Sequence, residues 1–524
     1  MALPDILFNN ASGSDTAASG AGPGTALSGS ASAHTNNAPS TTIQLPATDL
    51  SGVVDTGAHV LWLKTATTTR RFSKITAVDD VNNTVTVEDS FTIDDAAPVD
   101  WAIGGKRKTI EHADSVRLFI ADAKPGWTIT LEDDQPALTA TIVCTAAGDL
   151  TTGYITLRGD STTTRRLLTS ATNNISMLSG GLVYWKIKNL AFTSTATTKT
   201  TSYGIIFNAT AVGRVIIDNC IFGDATNTLQ RAWYRSATAQ LGLVAKNCEV
   251  KNCISYGCGS SGGSSGGMGS GGVTLINCFI HDNGGGGVDL HFIPDEGTHL
   301  IKDCIITDNT GYGIFVFESD DNVGKVHITD CTIHNNSSDG INIAGEYNAS
   351  GLVITNNQIT KNGAYGVNFG NSAALNDSLV ALVDHNNTGT GALANTSGAY
   401  NNLTAGANDQ QLDPSYTNAA GDDYSIGDTA CKAGGYPSAP GHIGINSATH
   451  TYKDIGAAQR QETTPDFPDV GNVTEDDTVN GSQGTYHEAT EAEVQQGVTF
   501  GASSALTGTY VGSGGRPELR GGNL

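Results

Sequence analysis

The residues best placed to do chemistry lie in two phrases, VDLHFIPDEGTHL (288–300) and IFVFESDDN (314–322). An offset of 26 residues sets Asp289 against Phe315, His291 against Phe317 and Asp295 against Asp321, with Glu318 and Asp320 close by. On adjacent strands, Phe315 and Phe317 then face outward beside carboxylates, the pairing of apolar ring and polar group that a sugar site uses. Two carboxylates at stacked positions also raise one pKa, as an acid catalyst needs. Asp289, Asp295, Glu318, Asp320 and Asp321 are therefore the catalytic candidates, and His291, Phe315 and Phe317 the carbohydrate-binding candidates. The plain alternative is a solvated surface: the chain has 52 acidic residues, and Asp is a common turn residue. No column of Lys or Arg accompanies the cluster, since Lys302 and Lys325 fall at other strand positions.

Other constellations carry less. Cys248, Cys253 and Cys258 are five apart, which is not a zinc-knuckle spacing. The GGGG run at 284–287 has no following helix and no GK[ST], so it is not a phosphate loop. Cys431 and His442 share a region without a recognisable nucleophile arrangement. No metal and no cofactor is expected.

What must position the candidates is a repeat. The phrase DNTGYGIFV (308–316) returns as DNGGGGVDL (282–290), NNSSDGINI (335–343) and KNGAYGVNF (361–369). Asn283, Asn309, Asn336 and Asn362 are 26, 27 and 26 residues apart, and Gly287, Gly313, Gly340 and Gly366 follow each of them by four. A fixed period of this length marks a stacked architecture. Ahead of each phrase, Leu275, Cys278 and Ile280 correspond to Ile301, Cys304 and Ile306 and to Ile328, Cys331 and Ile333. Alternation with period two buries one face of a strand. If each repeat is one coil, equivalent residues stack ~4.8 Å apart. The aliphatic columns then make a continuous core, and the Asn column makes a ladder at a bend. The Gly that follows supplies a positive φ or a close approach. Ile314, Val316 and Ile341 are expected inside; Asp289 and Asn342 are expected exposed on the same sheet.

Composition agrees. Among 524 residues, 64 are Gly and only 15% are charged. The net charge of −24 excludes a nucleic-acid-binding role, which needs clustered cations, and disfavours an anionic membrane. No apolar run reaches the ~18–20 residues of a membrane helix. The opening MALPDILFNNASGSD lacks a basic and an apolar region, so no secretory signal is expected. Nine cysteines, several of them one per repeat, suit buried thiols and a reducing compartment rather than disulfides. Trp101, Trp127 and Trp185 are expected in core or cap.

These repeats resemble the right-handed parallel β-helix proteins, the architecture of pectate lyases and many phage tailspikes. The resemblance is strongest over 273–370 and extends over about 110–459, with AKPGWTITL (123–131) and GYITLRGD (153–160) like opening coils and DPSYTNAAGDDYSIGDTACKAGG (413–435) like a closing one. It implies an all-β solenoid over 109–459, preceded by an extended arm (1–40) and a small β cap domain (41–108). A linker (460–490) and a C-terminal β attachment module (491–524) follow it. The stretch 257–272 is expected to be a protruding Gly/Ser loop. Enzymes of this fold use Asp-bound calcium with an Arg or Lys base, or carboxylate pairs ~5–9 Å apart. EAEVQQGVTFGASSALTGTYVG (491–512) resembles short terminal modules of bacteriophage structural proteins. The resemblance thus implies a virion structural protein, assembled in the host cytoplasm, partnered by other virion proteins and by copies of itself, as a trimer in the habit of phage β-helices. A carbohydrate-active depolymerase acting on a host surface glycan is the alternative.

Overall fold

The computed structural model describes residues 123–427 except 174, 198–201, 208–212, 227, 236–240, 261–271, 292–297, 319–324, 346–350 and 371–380. It also describes the strands between 5 and 107 and short pieces at 431, 442–443, 449–450 and 455–457. Asp295, Asp320 and Asp321, the side chains of His291 and Glu318, the linker (460–490) and the C-terminal module (491–524) lie outside the described residues.

The chain coils so that each turn adds one strand to each of three parallel sheets of twelve, ten and eight strands. Ten strands of the twelve-stranded sheet, from Thr128–Leu131 to Ala381–Asp384, follow one another in register without a break. Among the described residues there is no α-helix, only 3-10 turns at Gly391–Leu393 and Ala419–Gly421. Inward residues form one core that runs the length of the coil: Leu275, Ile301, Ile328 and Ile354 in one sheet, Val288, Ile314, Ile341 and Val367 in another, all buried. Trp127 and Trp185 belong to it, and Trp101 to the separate core of the six-stranded antiparallel sheet built from residues 27–103.

Turn chemistry explains why the coils stack. At the corner between the twelve- and eight-stranded sheets, Asn189, Asn219, Asn247, Asn277, Asp303, Asp330 and Asn356 all take φ between 53° and 60°. Asn and Asp tolerate this left-handed region better than other side chains. In five of these seven the next residue is a buried cysteine, Cys220, Cys248, Cys278, Cys304 or Cys331, and in the other two it is Leu190 or Asn357. Cys278 Sγ and Cys331 Sγ each lie 3.6 Å from a carbonyl of the preceding coil (Ala245, Ile301), and Asn357 Nδ2 makes the equivalent bond to Ile328 at 2.9 Å. None of the nine cysteines forms a disulfide.

The Asn column forms the expected ladder. Asn283 Nδ2 donates to Asn309 Oδ1 at 2.8 Å, Asn309 to Asn336 at 2.9 Å, Asn336 to Asn362 at 3.0 Å and Asn362 to Asn395 at 2.9 Å. The glycines four residues later are there for close approach: a Cβ on Gly313 would stand 2.5 Å from the Gly340 carbonyl. Positive φ falls instead just before the ladder, on Asp282, Asp308, Asn335 and Lys361.

Four expectations need correction. Asp289 and Asn342 are buried, 1% and 6% exposed, although they point away from the core; neighbouring side chains on the same face cover them, as described below. The N-terminal arm is not without partners in its own chain. Asp5–Phe8 pairs in parallel with Thr128–Leu131 as part of the coil's sheet, Phe8 is fully buried, and Leu27–Ala31 pairs with Val99–Ile103. Within 257–272, Cys258–Ser260 is a regular strand of the ten-stranded sheet. Finally, the closing stretch folds back: the hairpin Tyr416–Asn418/Asp423–Ile426 and residues Ile455–Ala457 lie across the outer face of the eight-stranded sheet.

Candidate functional site

The candidate residues belong to the outer face of the ten-stranded sheet. Strand register places Tyr234, Gly259, Asp289, Phe315, Asn342, Asn368 and Asn401 in one outward column on successive coils. His291 pairs with Phe317 two residues further along, and Glu318 with Gly345. The 26-residue offset thus does set Asp289 beside Phe315 and His291 beside Phe317.

Asp289 is locked. It sits against Gly259, where a Cβ would come within 2.7 Å of Asp289 Cβ. Arg231 reaches it from two strands away, with Nη1 3.1 Å from Oδ2. The guanidinium is itself flanked by the rings of Tyr256 at 5.4 Å and Tyr234 at 5.7 Å, a cation–π arrangement. The Tyr256 ring fills the space above Gly286, where a Cβ would stand 2.6 Å from it. Burial, and then the Asp289 charge, raise the Tyr256 pKa. Burial and the stacked Tyr234 ring, 4.8 Å away, do the same for Tyr203.

Two coils on, Asp339 is held as firmly. Asn342 Nδ2 and Asn368 Nδ2 donate to its Oδ2 at 2.6 and 2.9 Å, and the Tyr365 N–H to its Oδ1 at 2.8 Å. Asn401 Nδ2 extends the chain to Asn368 Oδ1 at 2.9 Å. Between these polar groups, the Tyr312, Phe315 and Phe317 rings lie nearly parallel at 5.2 and 6.3 Å. Their faces turn towards one another, so a sugar would meet ring edges rather than one broad platform. The repeat pattern missed Arg231, Tyr203, Tyr234, Tyr256 and Asp339. The phrase QRAWYR (230–235) was the available signal for the first, but it lacks the Asn and Gly that mark the later coils.

A second titratable group sits on the eight-stranded sheet. His281 Nδ1 lies 2.7 Å from Asp282 Oδ2 and Nε2 3.4 Å from Glu249 Oε1, and Lys251 Nζ reaches the same Glu249 oxygen at 2.5 Å. The His281 bond and the Lys251 charge hold Glu249 down to about 2. Burial pulls the His281 pKa down, but its two carboxylate partners outweigh that and raise it. Among the described residues no group of three or more His, Cys, Asp or Glu could hold a metal ion.

A family model described as "Right handed beta helix region" matches residues 173–348 and, overlapping them, 242–405. The strand topology makes the chain an all-β parallel β-helix, and over the matched residues it is similar to the right-handed family. Solved structures similar to it include pectate lyase Pel9A (16% identity, 65% of this chain and 90% of that one, TM-score 0.42). Others are a mutant of the periplasmic alginate epimerase AlgG (14%, 54% and 75%, TM-score 0.29) and the catalytic domain of a GH87 α-1,3-glucanase in complex with nigerose (10%, 75% and 96%, TM-score 0.31). No curated protein sequence matches.

Proposed function

We propose that this chain is a structural protein of a bacteriophage particle: a β-helix appendage or decoration, on capsid or tail, attached through its terminal segments and associated with copies of itself. The observation that carries this reading is that the described carboxylates of the candidate face are spent within the chain. Asp289 is buried against Arg231, and Asp339 takes three donors. A general acid or base needs a carboxyl that can exchange protons with substrate, whereas a rod needs outward groups that bind the coils to one another. Nine buried cysteines without a disulfide among them suit assembly in a reducing host cytoplasm, and the 491–512 phrase supports attachment to other virion proteins. Deleting 491–512 is expected to abolish incorporation into particles and leave the melting temperature of the purified rod unchanged. Normal incorporation of the deleted protein would overturn the attachment role.

One observation favours a second reading, a carbohydrate-active spike acting on a host surface glycan. An arginine flanked by tyrosine rings lies on the sheet whose strands Val288–His291 and Ile314–Glu318 are followed in the sequence by 292–297 and 319–324, the stretches that hold Asp295, Asp320 and Asp321. Release of oligosaccharides from host capsule, abolished by Asp295→Asn, Glu318→Gln and Asp321→Asn together, would establish it. Under the structural reading the triple variant assembles normally and the parent protein releases nothing.

A further inference from the structure

The outer face of the twelve-stranded sheet differs from the rest of this acidic chain. Register stacks Ile216, Val244, Thr274, Leu300, His327, Val353 and Leu382 on seven successive coils. All point outward and all are partly or wholly exposed, Leu382 by 44%. None of the seven carries a charge at pH 7, because burial and the nearby Lys325 lower the His327 pKa. Five of the seven are Ile, Val or Leu, on a chain whose net charge is −24.

Most of the charges flanking this ridge are matched within the chain, the exposed Arg214 and Lys325 excepted. Asp218 lies 3.3 Å from Lys188 and 3.5 Å from Lys246, while Lys302 reaches Asp303 at 2.5 Å and Asp330 at 3.3 Å. A polyanion such as an acidic glycan would find on these seven strands only two cations outside an ion pair, Arg214 and Lys325, four coils apart, and a small polar ligand would find few hydrogen-bonding groups. An apolar centre with a neutralised polar rim is the anatomy of a protein interface.

We propose that this ridge is where a second copy of the chain docks, side by side. The inference deepens the appendage reading, and rests on it only for the expectation of self-association. Two arguments select a second copy. Elsewhere two chains of charge −24 would repel; here they meet on faces of no net charge. A second solenoid also has the same ~4.8 Å coil spacing, so its ridge side chains can seat between those of the first along the whole length. Six intervals of ~4.8 Å by a five-residue strand of ~17 Å give roughly 500 Å² per copy. That is about 1,000 Å² per pair, the lower bound for a specific contact.

The test uses the full-length purified protein in light scattering. The parent is expected at a multiple of 54.1 kDa, and Val244→Glu with Leu300→Glu at a single copy with its melting temperature unchanged. Phe315→Glu, on the other outer face, should leave the mass unchanged. A Leu300→Cys variant keeps the ridge apolar and decides the matter even where the double variant does not fold. The native thiols are all buried, so a short bismaleimide should join two copies through the new thiol alone. A monomeric parent, or a Leu300→Cys protein that is not cross-linked, overturns the proposal. Particle incorporation is read separately, so the appendage reading can fail while self-association holds, and the reverse.

Discussion

At the scale of the residue, two amide columns and one ion pair carry the polar burden of this fold. Asn309 shows what one ladder member does. Its Oδ1 accepts from the backbone N–H of Asn283 at 3.1 Å and from Asn283 Nδ2 at 2.8 Å; its Nδ2 donates to Asn336 Oδ1 at 2.9 Å and to the Ile280 carbonyl at 3.3 Å. Removing it strands several buried groups at once, and a buried group left unsatisfied costs about 1–3 kcal/mol. Asn309→Ala is therefore expected to destabilise by about 3 kcal/mol or more, read as a shifted denaturant midpoint. A loss below about 1 kcal/mol would mean that the ladder is decoration. The ladder was legible in the sequence because its step is constant and Asn is costly to bury without partners. The burial of Asp289 was not. Alternation reports which side of a strand a residue faces, not what lies above it, and the covering residue Arg231 comes from two coils earlier in a stretch without the repeat phrase.

At the scale of the element, the strap formed by the C-terminal hairpin and Ile455–Ala457 was the least legible part. It lacks the period, and its register against the sheet comes from side-chain bonds. Tyr424 Oη meets Thr307 Oγ1 at 2.9 Å and Asp308 Oδ2 at 3.3 Å, and Tyr416 Oη meets Thr360 Oγ1 at 3.0 Å. Beneath it lies His334, edge-on to both tyrosine rings at 5.1 and 5.7 Å, with Nδ1 2.9 Å from Thr360 Oγ1. Burial lowers its pKa to about 4; the Asp308 charge opposes this and Lys361 adds to it. An unfolded histidine titrates near 6.5, so on acidification the released state takes up the proton first. The stabilisation is thus complete above pH ~6.5, falls through the window from ~6.5 to ~4, and is exhausted below it. Amide exchange in 416–426 is expected to quicken between pH 7 and 4.5 relative to the core strands, and His334→Gln to flatten that dependence. Equal exchange at both pH values would show that the strap is held without regard to the histidine.

At the scale of the whole molecule, apart from the Arg231–Asp289 pair and the strap, the coils pair strand by strand with their neighbours, so stability should behave largely as a sum of coil and interface terms along one dimension. Ile341 tests this, being fully buried between Ile314 and Val367 on the eighth strand of the ten-stranded sheet. Ile341→Asp buries a charge without a partner and is expected to cost about 4 kcal/mol or more. A nearest-neighbour solenoid confines the damage. Hydrogen exchange should lose protection in the coils from Lys325 to Asn401 while those from Thr128 to Lys246 keep theirs, and limited proteolysis should leave the earlier coils as a resistant fragment. One aliphatic core runs through both regions, so the opposite result also has a physical meaning. If protection vanished everywhere together, the core would be one cooperative unit, and this rod would stand or fall as a single domain of unusual length.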